Sequence, residues 1–209
     1  MWRSPIRTLA LLTVCLLCLG LAGQPLGVGI VFTQSAEGGQ TSRLVRLEPG
    51  GVVRLLAPSF HDTADADVSF DGGHIVFAGK RYATDPWQIY QMQADGTGVH
   101  RITQTSFACR SPLYLPAIFY LDADAPIHQL GFVGRDGASS ALYTCKLDGS
   151  GLRRLTFNPY EAMDPAMLPD GRLVFAAEQR DRLEAGPSSR VALFGVHTDG
   201  TDYAIFSGD

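Results

Sequence analysis

The residues that could do chemistry come first. The chain of 209 residues carries four cysteines and five histidines. Cys15 and Cys18 form Cys-x-x-Cys, a spacing used for metal and redox chemistry. Cys109 and Cys145 stand apart from them. Carboxylates and imidazoles crowd two stretches: His61, Asp62, Asp65, Asp67, Asp71 and His74, then Asp122, Asp124 and His128. Oxygen-rich loops can hold Ca²⁺, but an EF-hand loop needs Gly at its sixth position and Glu at its twelfth. Counted from Asp122, the fifth position is Pro126 and the sixth is Ile127, so the spacing fails. Asp65 and Asp71 read instead as turn caps that accept backbone N–H bonds. Gly137-Ala138-Ser139-Ser140-Ala141 lacks the second Gly of a nucleophile elbow. There is no His-Glu-x-x-His, no phosphate-binding Gly-rich loop and no Cys-x-x-Cys-His haem motif. Gly27-Val28-Gly29 lacks the third Gly of a dinucleotide turn. His100 and His197 fall on repeated strands and read as surface or core fillers. No catalytic residue, cofactor or metal ligand is assigned, and catalysis by this chain alone is not the expectation.

The elements that would position such groups are short strands. Asp65 to Thr103 holds the clearest unit. Val68-Ser69-Phe70 is extended, and Asp71-Gly72-Gly73 turns it, since Asp and Gly tolerate positive φ. Ile75-Val76-Phe77 suits a pleated surface. Gln88 to Gln93 alternates, with Ile89, Gln91 and Gln93 on one side and Tyr90 and Met92 on the other. Asp95-Gly96-Thr97-Gly98 turns the chain into Val99–Thr103. The unit recurs. Leu142–Thr156 overlays Ile89–Thr103 without a gap, Leu193–Thr201 overlays its first part, and Leu44–Gly51 is a degraded copy. Phe32, Phe77, Phe132 and Phe175 end equivalent strands 45, 55 and 43 residues apart. A period of about 40–50 residues with four short strands marks a propeller blade.

Asp65-x-x-x-Ser69-x-Asp71-Gly72 and Asp164-Pro165-Ala166-x-x-Pro169-Asp170-Gly171 resemble the D-P-x-W-S-P-D-G element of TolB-type (WD40-like) β-propeller repeats. Ile89-Tyr90, Asp95-Gly96 and Arg101-Ile102-Thr103 resemble the rest of that repeat. The likeness runs from Gly29 to the C-terminus. It departs at Val68 and Met167, where the family has Trp, and at Ser111 to Asp124, where an insertion replaces the turn. A second resemblance is to the propeller (middle) region of hydrazine synthase alpha-subunit-like proteins. Phe70-Asp71-Gly72, Phe77–Arg81, Asp85-Pro86-Trp87-x-Ile89-Tyr90 and Cys109-Arg110-Ser111-Pro112 carry it. In that family haem-bearing regions flank the propeller. None is visible here, so the resemblance implies a domain and no catalytic residue.

The expected fold is all-β, a propeller of four-stranded antiparallel blades at about 29–57, 64–105, 111–157 and 164–206. The first unit lacks its leading strand, so the expected ring is incomplete, with a true four-bladed ring as the rival. Cys109 leaves one blade and Cys145 lies on a strand of the next. A disulfide would follow in an oxidising compartment; alternatively Cys145 is a buried thiol sharing an apolar face with Met92 and Val196. Tyr114, Phe119 and Tyr120 mark the insertion as a candidate interface, unless they merely pack over the blade. The full chain has 17 basic and 21 acidic residues. An acidic balance repels phosphate backbones and argues against a nucleic-acid partner. The expected function is that of an exported, periplasmic or extracellular, non-catalytic scaffold that binds protein partners, a ligand or further blades of a longer chain. The alternative is the propeller part of a larger exported enzyme, a hydrazine synthase alpha-like redox subunit or a hydrolase.

Export rests on residues 1–22. Arg3 and Arg7 precede the apolar run Thr8–Leu19, and Gly20-Leu21-Ala22 offers a small-x-small cleavage site. The run is 12 residues long, short of the roughly 20 that span a bilayer, so no stable membrane span is expected. Cys15 and Cys18 lie inside it and leave with it. N-terminal sequencing of exported protein should therefore begin between Gly23 and Gly27. An intact Met1 on secreted material would contradict this.

Overall fold

The computed structural model describes residues 29–35, 41–119, 124–137, 139–157, 161–179 and 190–207. Residues 1–22, with Cys15 and Cys18, lie outside this set, as do Tyr120 and Asp122. All the regular structure described is strand. Strands β1 (Ile30–Ser35), β2 (Ser42–Leu47) and β3 (Val53–Leu55) make a three-stranded sheet. Three four-stranded sheets follow. The second holds β4 (Asp62–Val68), β5 (His74–Lys80), β6 (Gln88–Gln93) and β7 (His100–Arg101). The third holds β8 (Ala108–Tyr114), β9 (Gln129–Asp136), β10 (Ser139–Lys146) and β11 (Arg153–Arg154). The fourth holds β12 (Ala162–Met167), β13 (Arg172–Gln179), β14 (Arg190–His197) and β15 (Ala204–Ser207). Each sheet is an antiparallel meander in chain order, as a blade should be.

Packing among the described residues runs from each sheet to the next, and the leading strands β4, β8 and β12 meet along one line. Three apolar clusters fill the seams. Alternation along a strand divides its side chains between two seams. Ile75 and Phe77 of β5 face the first sheet, whereas Val76 and Ala78 face the third. This explains β6, whose Gln88 to Met92 are all buried despite two polar side chains. Gln88 is satisfied by Phe107 O at 3.0 Å and by the Thr103 hydroxyl at 2.9 Å. Gln91 donates to the Tyr114 hydroxyl at 2.8 Å.

The repeat is also visible in cross-strand aromatic pairs. Phe77 stacks on Tyr90 with ring centroids 5.8 Å apart, Phe132 on Tyr143 at 5.8 Å and Phe175 on Phe194 at 6.0 Å. Phe32, the matching residue of β1, is half-exposed because no sheet among the described residues covers its outer side. Val191, Leu193, Ile205 and Phe206 are left exposed in the fourth sheet in the same way. Among the described residues no sheet closes on itself.

Turns and seams satisfy the backbone by one repeated device. In the Arg-Ile/Leu-Thr ending, the Thr103 hydroxyl accepts Ile89 N–H at 2.8 Å and the Thr156 hydroxyl accepts Leu142 N–H at 2.9 Å. Arg101 and Arg154 donate back to Thr103 O and Thr156 O at 2.5 and 2.7 Å. Asp95, Asp148 and Asp199 accept N–H bonds two residues on, at 2.8, 2.9 and 2.9 Å, around glycines with φ of 89°, 82° and 85°. At Gly149 a Cβ would also overlap Ile102 O of the preceding sheet, so glycine is required there twice over.

Two boundaries differ from the sequence reading. The extended run expected at Val68-Ser69-Phe70 is instead β4, Asp62–Val68, and Ser69 and Phe70 lead into the turn. Ser111 does not open an insertion. Ser111-Pro112-Leu113-Tyr114 ends β8, the leading strand of its sheet, and the insertion follows it. Ile118 and Ile127 then bridge across the insertion through two N–H bonds of 3.0 and 2.8 Å.

Phe77 and Phe175 occupy equivalent, fully buried positions. Replacing either with Ala should cost about 3–5 kcal/mol of stability by equilibrium denaturation. A loss below about 1 kcal/mol would mean that the aromatic pairs do not hold the blades.

Candidate functional site

The leading strands carry one irregularity at the same place. Pairing slips between Ala64 and Asp67, between Arg110 and Leu113, and between Met163 and Ala166. The first bulged residue is Asp65, Ser111 or Asp164, with φ of 52°, 48° and 46°. Asp tolerates this left-handed conformation better than most side chains. The second bulged residue is Ala66, Pro112 or Pro165, and proline suits a position that donates nothing to the ladder. Bulges of this kind re-aim side chains, and here all three face the line where the sheets meet.

Two cavities lie along that line and share Asp65, Ser111 and Asp164. One, of about 480 Å³, is lined by the ends of β4, β8 and β12, including Asp67, Phe70, Tyr114 and Met167. The other, of about 410 Å³, is lined on the opposite side by Trp87, Arg110, Arg135, Glu161 and Met163 among others.

Asp65 ties the second sheet to the third. It accepts Arg110 Nε at 2.5 Å and Nη2 at 3.1 Å, and Ser111 N–H at 3.1 Å. The Arg110 guanidinium lies 4.2 Å over the Trp87 ring, and Cys109 N–H donates to Trp87 O at 2.8 Å. Arg135 pairs with Glu161 across the next seam. Asp67 accepts Tyr114 N–H at 2.8 Å. Burial pushes its carboxyl up, against the lowering by the Tyr114 and Val68 N–H groups. The Tyr114 hydroxyl is pushed up to about 12, first by burial, with Gln91 opposing and the Asp67 and Asp71 charges adding.

The sequence-marked residues sort as follows. Asp71 caps its own turn, accepting Ser69 Oγ at 2.6 Å and Gly73 N–H at 2.9 Å. Asp65, read as a turn cap, bonds across two sheets instead. His61 and Asp62 meet at 3.2 Å, and Asp62 also accepts Ser42 N–H of the first sheet at 2.7 Å. Among the described residues, no group of three His, Cys, Asp or Glu side chains is placed to hold a metal. Cys109, expected in a loop leaving one blade, lies on β8, so it belongs to the same sheet as Cys145 of β10; both are buried, free thiols in one cluster. Burial pushes Cys145 up to about 12, with the neighbouring Cys109 adding to it. Tyr114 is on β8 and buried, whereas Phe119 is 73% exposed in the insertion. Trp87 and Arg110 were missed as site residues, and Asp67, noted only in an acidic stretch, was not tied to Tyr114. The signal for the strand that carries Arg110 and Tyr114 was there: Ser111-Pro112-x-Tyr114-x-Pro116 aligns with Asp164-Pro165-x-Met167-x-Pro169.

The raised carboxyl gives a pH prediction. A carboxyl raised on folding contributes stability below its unfolded value, about 3.9, and loses it as pH rises through the folded value. Asp67→Asn keeps an acceptor for Tyr114 N–H and removes the buried charge. Its melting temperature should exceed wild type at pH 7 and match it near pH 3. A lower value at pH 7 would mean that the folded state uses the charge.

No protein-family model matches the chain. The sequence is 24% identical over 198 residues to hydrazine synthase subunit alpha of Kuenenia stuttgartiensis, covering 71% of this chain and 24% of that protein. A hydrazine synthase chain of the same organism superposes with a TM-score of 0.73 at 20% identity, over 90% of this chain and 32% of that one. TolB of Acinetobacter baumannii superposes with a TM-score of 0.61 at 21% identity, over 87% and 42%. A puromycin-hydrolyzing peptidase of Mycobacterium tuberculosis superposes with a TM-score of 0.62 at 15% identity, over 88% and 29%. The chain thus spans about a quarter of the curated relative's length. At these identities the likeness establishes the fold: the four sheets are blades of a β-propeller of the kind seen in TolB and hydrazine synthase.

Proposed function

We propose that this chain is an exported, non-catalytic propeller scaffold that binds a partner at the axial end of its blades. The observation that carries the reading is the axial line itself. Three equivalent bulges bring Asp65, Ser111 and Asp164 together between two cavities of about 480 and 410 Å³, and concave sites of this size suit ligands. The exposed Phe119 of the insertion and Phe70 beside the larger cavity add apolar contact area. Export follows from the n-region, apolar run and small-x-small order of residues 1–22. Cys109 and Cys145 share an apolar cluster, but they stand on β8 and β10 with β9 between them, so they stay reduced even in an oxidising compartment unless the strands part.

The second reading is a propeller portion of a larger exported enzyme. It is favoured by the hydrazine synthase likeness, which covers 24% of that relative, and by the peptidase superposition. Further blades would then cover the exposed faces of the first and fourth sheets. Transcript sequence past the codon for Asp209 separates the two. A stop codon supports the scaffold, and a downstream Cys-x-x-Cys-His or Gly-x-Ser-x-Gly supports the enzyme part. On exported material, alkylation under denaturing, non-reducing conditions should label two thiols, Cys109 and Cys145. No labelled thiol in a chain that has lost its signal would establish a bridge instead.

A further inference from the structure

We propose that the larger axial cavity binds a compact amphipathic cation: an ammonium or guanidinium group on an apolar body about the size of one aromatic ring. This deepens the scaffold reading and rests on it only for the claim that the axial end is where binding occurs.

The argument begins with three equivalent positions. Val68, Tyr114 and Met167 pair with Ile75, Leu130 and Leu173 and so occupy the same place in three blades. Only Tyr114 fills that place with a ring. The smaller side chains at Val68 and Met167 leave room between the leading strands, and the space is the cavity of about 480 Å³. Its walls are apolar where a ring or short chain would lie: Phe70, Pro112, Leu113, Pro165 and Met167. Phe70 is 76% exposed at the rim and offers a ring face to a cation.

Charge selects the polar end. The lining holds Asp65, Asp67 and Asp164 and no Lys, Arg or His. Asp65 is already neutralised by Arg110. Asp67 accepts the Tyr114 N–H and is lowered also by the Val68 N–H, and no cation pairs with it among the described residues. Asp164 holds the place of Asp65 in its own blade, and no hydrogen bond or ion pair to its carboxylate occurs among the described residues. The two uncompensated carboxylates make the cavity attractive to a positive group and repellent to an anion. A lining of apolar side chains and carboxylates with no cationic group does not fit a phosphate.

The test uses the full-length protein and three probes of one shape: 2-phenylethylammonium, 2-phenylethanol and phenylacetate. Saturation-transfer NMR and calorimetry read binding. The ammonium should bind, the alcohol about tenfold more weakly, and the acetate not measurably. Asp164→Asn, at an exposed position, should weaken the ammonium about tenfold and leave the alcohol unchanged. Val68→Trp with Met167→Trp should remove binding of both; Val68→Trp alone, also exposed, serves if the double variant melts early. Equal binding of ammonium and alcohol, no binding of the ammonium, or full binding in the Trp variants each overturns the proposal. A catalytic motif found downstream would change the scaffold reading and leave these outcomes untouched, so the two fail separately.

Discussion

The structure depends on a single constraint: each middle sheet is apolar on both faces. A strand that sends alternate side chains to opposite faces must then be covered twice. β5 shows it directly, since Ile75 and Phe77 enter one seam and Val76 and Ala78 the other. A sheet of this kind cannot rest on a single partner layer. It must stand between two others, and the right-handed twist of strands turns such a stack into an arc of blades. The exposed apolar residues of the first and fourth sheets are the same constraint left unmet among the described residues.

Covering both faces creates a second demand. Backbone groups at the seams are cut off from water and must find partners inside the protein. The Arg-Ile/Leu-Thr ending answers it. One side chain caps the strand above it, and the Arg closes on the Thr carbonyl. The same motif leaves Ile102 O facing the next blade, where only glycine at 149 fits. The repeat signature is therefore a set of seam contacts written into the sequence.

That is also why the fold was legible. Phe77, Phe132 and Phe175, the Asp-Gly turns and the Thr endings are local patterns with fixed spacing, and they gave the blades before any coordinates. The third leading strand was harder to see. Ser111 replaces the Asp of the other copies and a longer loop follows Tyr114, so the strand looked like the start of an insertion. The site was less legible still. Asp65 reads as a turn cap because Asp before Gly-rich turns usually is one. Its real partners, Arg110 and Ser111, lie 45 and 46 residues away in another sheet. Nothing local announces such a pair. Buried Gln88 and Gln91 are the same case, since their partners Phe107 O and the Tyr114 hydroxyl lie 19 and 23 residues on, in the next seam.

The contrast between core and axis bears on function. Equivalent core positions hold the same kind of residue in every full blade: Phe77, Phe132 and Phe175, or Ile75, Leu130 and Leu173. Even Met92, Cys145 and Val196 keep one role, all of them buried. Equivalent axial positions do not. Asp67, Leu113 and Ala166 differ in charge and size, as do Val68, Tyr114 and Met167. Packing alone gives no reason for this divergence, because a repeat held only by its seams would be served by one good solution used three times. The variation falls where the leading strands bulge and where the cavities open. The blades are interchangeable inside and individual at the axis, so what distinguishes one blade from another in this chain lies along that axis.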